Sequence, residues 1–177
     1  PRDRFRYGYR FWIDTRNHML LRFELSDEEG NAIEQVMFTG LRVGEGIPAE
    51  ALEPSLSGDG YNWFRQENSD AGAALQAASP QWTVGQLPVG CEQTDNQPKR
   101  VRQGGGHAEH LEYSDGLATD SVYVEKHMDG TRSYTGLSNM GAMNAYGAVV
   151  DGHQVTVVGE VPSATVQSMA QSVARRQ

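Results

Sequence analysis

The residues of this chain with chemical potential are few. "GGGHAEH" sets His107 and His110 three apart around Glu109. On a helix that spacing lets two imidazoles share a metal. Three glycines precede it, so a helix is disfavoured, and on a strand i and i+3 face opposite sides. No third ligand accompanies the pair. The glycine run also lacks the Lys-Ser/Thr of a phosphate loop. Ser114 and Asp115 with His107 or His110 would compose a hydrolase set, but no nucleophile-elbow motif surrounds the serine. "SDG" reads more simply as a turn, with Asp bonding its own backbone and Gly taking positive φ. Cys91 is the one cysteine. It excludes an internal disulfide and, with no second thiol or adjacent cation, reads as a small buried residue. No catalytic residue, metal or cofactor is expected.

The remaining candidates suit recognition. Tyr113, Ser114, Asp115 and Leu117 surround the turn, and Met140, Met143 and Tyr146 lie in "NMGAMNAYG". Aromatic anchors and adaptable methionines beside glycine turns fit a bound peptide. The plain alternative is that they are core. Trp63 and the first strands offer a second face. Arg4, Arg6 and Arg10 form either a solvated strand face or a contact for an anionic partner.

Composition narrows the classes. The 177 residues carry a formal charge of -8 and a pI near 5.1, so nucleic acid is a poor partner. No apolar run approaches the ~20 residues of a membrane helix. Pro1-Arg2-Asp3 does not open a signal peptide, and the chain reads as mature, processed or truncated.

The elements that must position these residues are mostly strands. In "RFRYGYRFWID", Phe5, Tyr7, Tyr9, Phe11 and Ile13 alternate with Arg4, Arg6, Gly8 and Arg10, the period of a strand with one buried face. "MLLRFEL" alternates again, and "AIEQVMFTGLRV" makes a third strand. The short turns "DTRNH" and "SDEEGN" imply an antiparallel meander. A short helical piece, "IPAEALEPSL", closes at Pro54. Three strands cannot bury an aromatic face alone, so this domain, residues 1–66, is expected to be incomplete. Glu67–Gln81 is small and polar and reads as a linker. Residues 82–177 form a second domain. Strands are expected at His107–Ser114, Thr119–His127, Arg132–Leu137, Ala142–Val150 and Gln154–Glu160, with "QTDNQPKRVRQGGG" as a loop. A helix is expected from Ser163, its N-cap, to Arg175, because Val166, Met169, Ala170 and Val173 make an apolar stripe. The fold class is α+β.

These motifs also carry a resemblance. "WTVGQLPVG", "HLEYSDGLATDSVYVE" and "GAMNAYGAVVDGHQVTVVGEVPSATVQSMAQSV" resemble the C-terminal domain of the RseB/MucB family of periplasmic sigma-factor regulators. "YGYRFWIDTRNHMLLRFEL" resembles the end of that family's N-terminal domain. The resemblance implies an antiparallel half-barrel like that of the lipoprotein carrier LolA, here entered partway, then a small sheet domain with a C-terminal helix. It implies a periplasmic, non-enzymatic protein that binds the periplasmic region of a membrane anti-sigma factor, shields it from regulated proteolysis, and is released by lipid or lipopolysaccharide. The partner segment is expected between the two domains, on the "YSDGLA" hairpin and the "NMGAMNAY" strand. Phe5, Tyr7, Tyr9, Phe11, Leu21 and Phe23 are expected to line a concavity for acyl chains. A homo-oligomer stays open. The alternative is a periplasmic lipid or lipoprotein carrier, which needs a complete cavity and has little use for the second domain.

Overall fold

The computed structural model describes residues 3–44, 46–55, 58, 60–62, 64, 81–100, 107–127, 130 and 132–176, with the backbone alone at 96–100 and 107. Trp63 and nearly all of the expected linker lie outside the described residues.

Three antiparallel strands, β1 (Gly8–Ile13), β2 (Leu20–Ser26) and β3 (Ala32–Met37), form the first sheet in sequential order. Tyr9 lies opposite Leu25, and Phe11 opposite Phe23. Paired residues share a face, so alternation places these rings and Leu25 together. Leu25 is buried, whereas Phe11 and Val36 stay exposed. The opposite face is not simply solvated. Glu24 accepts from Arg10 Nη1 at 3.0 Å and from Arg22 Nη2 at 2.7 Å. Both guanidinium groups lie over the Trp12 ring, at 5.9 and 4.2 Å. Arg10 is thereby committed within its own sheet. A single 3-10 turn, Ala49–Leu52, follows, and it ends before Pro54 as expected.

The second body is built on six strands: β5 (Glu92–Arg100), β6 (His107–Ser114), β7 (Thr119–Lys126), β8 (Gly136–Met140), β9 (Met143–Val150) and β10 (His153–Gly159). Their order is β5-β6-β7-β10-β9-β8, all antiparallel, so the chain leaves β7 for the far edge and returns through two hairpins. Helix α1 (Ser163–Gln171) lies on one face of this sheet. Val166, Met169 and Ala170 pack there with Leu111, Tyr113, Val122, Val124, Val155 and Val157. Two short strands, β4 (Trp82–Val84) and β11 (Val173–Arg175), pair at the helix end.

Several boundaries depart from the sequence reading. Glu92–Arg100 is a strand, not a loop. It occupies a sheet edge, where Pro98 is tolerated. The strand expected from Arg132 begins at Gly136, because the side chain of Gln154 takes the backbone N–H and carbonyl of Tyr134 (3.0 and 2.8 Å). The helix stops at Gln171. Ser172 closes it by donating to the Met169 carbonyl at 3.1 Å, and Val173 turns into β11 opposite Val84. Val173 is buried either way. The N-cap is Pro162, not Ser163, and no side chain caps the helix.

Candidate functional site

The register puts both expected recognition segments at one end of the large sheet. Tyr113 pairs with Asp120, Asp120 with Gly159, Gly159 with Asn144, and Asn144 with Asn139. This row runs across five strands. One step beyond it lie the 114–119 turn on one side and the Met140–Met143 turn on the other.

The first turn is held by its own side chains. Ser114 Oγ donates to the Ala118 carbonyl at 2.7 Å and accepts from Gly116 N–H at 3.0 Å. Asp115 Oδ1 accepts from the N–H groups of Leu117 and Ala118, each at 3.0 Å. Gly116 has φ 90°, a conformation glycine adopts without strain. Leu117 is left 61% exposed at the tip. These bonds fix Ser114 as a turn residue rather than a nucleophile. His110 stacks on Tyr123 and lies 3.0 Å from Ser121 Oγ, buried within the sheet.

The segment preceding β1 docks against this end of the sheet. Thr165 Oγ1 donates to the Phe5 carbonyl at 2.7 Å, and Asn144 Nδ2 donates to the Tyr7 hydroxyl at 2.9 Å. Arg6 Nε lies 3.5 Å from Asp115 Oδ2. Phe5 and Tyr7 therefore lie ahead of β1 and meet the second body, which corrects their placement on the first sheet's apolar strand face. Tyr9 stacks on Phe11, with 5.8 Å between ring centroids. Phe11, Leu21 and Phe23 remain with that face, beside a shallow apolar depression of about 210 Å³.

Between the docked segment and the sheet lies a cleft of about 210 Å³. Its wall includes Tyr7, Tyr9, Cys91, Asp115, Leu117 and Asp120. Burial, and then the charge of Asp115, push the Asp120 carboxyl up to about 7. Burial, reinforced by Asp120 and Asp115, pushes the Cys91 thiol up to about 11, and Arg6 only partly opposes this. A thiol so placed stays protonated at neutral pH and is a poor nucleophile. Burial also raises the Tyr7 and Tyr9 phenols.

The other candidates divide by exposure. Tyr113 is 2% exposed and belongs to the core. Sequence spacing placed it at the site because it adjoins the turn, but its strand face points to the helix. Met140 is 81% and Met143 37% exposed, facing each other at the hairpin tip. Tyr146 is half-buried against the core. Asp120, Asn144 and Gly159 were missed. One signal existed: in "TDSVYVEK" Asp120 takes the inward register of Val122 and Val124, an unusual place for a carboxylate.

Comparison with known proteins identifies the family. The MucB/RseB N-terminal domain model matches residues 1–56, and the MucB/RseB C-terminal domain model matches residues 76–174. The sigma-E factor regulatory protein RseB of Haemophilus influenzae is 26% identical over 98% of this chain and 52% of its own length. The sigma factor AlgU regulatory protein MucB of Pseudomonas aeruginosa is 29% identical over 98% of this chain and 53% of its own length. This chain thus spans about half the length of the curated relatives it matches. A crystal structure of MucB in complex with MucA(peri) covers 100% of the chain and 60% of its own, with TM-score 0.78 and 28% identity. A crystal structure of MucB covers 99% of the chain and 55% of its own, with TM-score 0.61 at the same 28% identity. Its relatives are named as regulators of sigma factors, and both parts of the sequence match the same family. The chain belongs to the MucB/RseB family.

Proposed function

We propose that this chain is part of a periplasmic negative regulator that binds the periplasmic region of a transmembrane anti-sigma factor and shields it from regulated proteolysis. The observation that carries this is the likeness, over the whole chain, to MucB solved in complex with MucA(peri). The family resemblance supports such a segment as the partner of this chain. The cleft and the two hairpin tips are its proposed seat. Leu117 and Met140 stand exposed at one end of the sheet, and Leu117 also lines the cleft, the kind of place where ligands preferentially bind. Ser114 and Asp115 hold the first tip in shape, and Met143 and Tyr146 support the second.

Lipid or lipopolysaccharide is the proposed release signal, with Phe11, Leu21 and Phe23 as the acyl-facing residues. The support is the exposed apolar face of the first sheet: leaving such area in water costs about 25 cal/mol per Å².

Titration with the periplasmic segment of a family anti-sigma factor tests the partner. Leu117→Ala and Met140→Ala are expected to weaken binding about tenfold or more, the effect of losing ~1.4 kcal/mol, with melting temperature unchanged. Unchanged affinity in both variants would remove the hairpin tips from the interface.

A further inference from the structure

The charge of the cleft is unbalanced. Asp115, Asp120 and Glu160 line it, and Arg6 is the one basic residue among the described lining residues. Arg6 Nε lies 3.5 Å from Asp115 Oδ2, while its Nε and Nη2 have no hydrogen-bond partner among the described residues. Asp120 is 3% exposed, and its Oδ1 has no hydrogen-bond partner among the described residues. A buried carboxylate in that condition costs free energy that a donor or counter-charge would recover. Its surroundings supply neither. Asp115 faces it from the turn, Cys91 from the approach to β5, and Tyr9 from the first sheet. Gly159, its partner on β10, has no side chain. The carboxylate thus lies on the wall of a cavity that also presents two tyrosine rings, whose faces attract cations.

We propose that the cleft is a cation site that receives one lysine or arginine side chain of the docked anti-sigma segment, with Asp120 as its buried counter-charge and Asp115 and Glu160 at the rim. The occupant rests on the function proposed above; the cation site does not. The volume of about 210 Å³ equals roughly seven waters at ~30 Å³ each, enough for a guanidinium or ammonium and the end of its stem. A bare metal ion fits less well, because among the described residues no three His, Cys, Asp or Glu are grouped to share one. A cation beside Asp120 favours the ionised carboxylate, so its binding releases a proton. Affinity therefore rises with pH up to the midpoint of that carboxyl. Asp115, Glu160, Arg6, Cys91, Tyr7 and Tyr9 are the other charged or titratable groups lining the cleft, and Asp120 is the one whose carboxyl is pushed up to about 7.

The test uses the full chain with methylguanidinium as probe and urea as its neutral counterpart. The carboxyl carbon of Asp120 and the amides of Leu117, Ala118 and Val161 are followed by NMR. Methylguanidinium is expected to saturate these shifts, several-fold more tightly at pH 8 than at pH 6, and urea is not. Asp120→Asn is expected to abolish the response. Glu160→Gln, at an exposed position, is expected to keep the fold and to weaken the response several-fold. Absence of saturation, an equal response to urea, or undiminished binding in Asp120→Asn overturns the site. A parallel titration with the anti-sigma segment separates the two readings. If the segment binds but methylguanidinium does not, the cation site falls and the proposed function stands. If methylguanidinium binds but the segment does not, the proposed function and its side chain fall and the cation site stands.

Discussion

Asn144 on β9 donates through Nδ2 to the Tyr7 hydroxyl at 2.9 Å, and the same nitrogen donates to the Val161 carbonyl at 2.8 Å. One buried amide thus ties the segment ahead of the first sheet to the end of the second. It sits in the row that joins both hairpin tips, so the docking of residues 5–9 and the shape of the proposed interface depend on the same side chain.

Tyr7→Phe removes the first of these acceptors and leaves the second. A neutral hydrogen bond contributes about 1 kcal/mol, and a loss of that size is expected in urea unfolding. Asn144→Ala also strips the Val161 carbonyl and is expected to cost about 2 kcal/mol or more. Equal losses in the two variants would show that the Val161 bond contributes nothing.

Gly159 has no room for a side chain, because a Cβ there would overlap the Asp120 carboxylate. Gly159→Ala is expected to destabilise the fold by about 1–3 kcal/mol, as overpacking does. Asp120→Ala added to it should restore much of the loss. The double-mutant cycle measures this coupling, and additive effects would place the strain elsewhere.

The Asp120 carboxyl, pushed up to about 7, lies well above the ~3.9 of an unfolded chain. The fold holds this proton more tightly than the unfolded chain does. Its contribution to stability is therefore full below pH ~4 and declines as pH rises to about 7, by up to ~1.4 kcal/mol per pH unit. Asp120→Asn is neutral throughout. It is expected to match the parent near pH 4 and exceed it at pH 8. Denaturant midpoints across that range decide; parallel curves would mean that Asp120 ionises normally.

Met169 is 1% exposed on the inner face of α1. Met169→Asp places a charge among Val166, Val155 and Val157 and is expected to cost several kcal/mol. Calorimetry reads it directly, and a melting temperature equal to that of the parent would mean that the helix is not docked.

The sequence alone determined the strands whose two faces differ. β6, β7, β9 and β10 follow from alternation, with Gly116 and Gly152 marking turns, and α1 follows from the spacing of Val166, Met169 and Ala170. These signals are local, because a strand or helix with one buried face repeats its pattern within a few residues. The family was legible for the same reason, in contiguous blocks such as "YSDGLA" and "VTVVGEVP". The tertiary structure decided what depends on distant partners. Polar β5 is a strand because β6 accepts it at an edge, and Val173 leaves the helix because Val84 lies opposite. Tyr113 belongs to the core and Leu117 to the surface, though they are four positions apart. Tyr7 finds Asn144 across 137 positions of chain. Asp120 meets Gly159 and the cleft only once β7 and β10 pair. A site made of such neighbours has no sequence spacing of its own, since the pairing of strands far apart in the chain sets its distances.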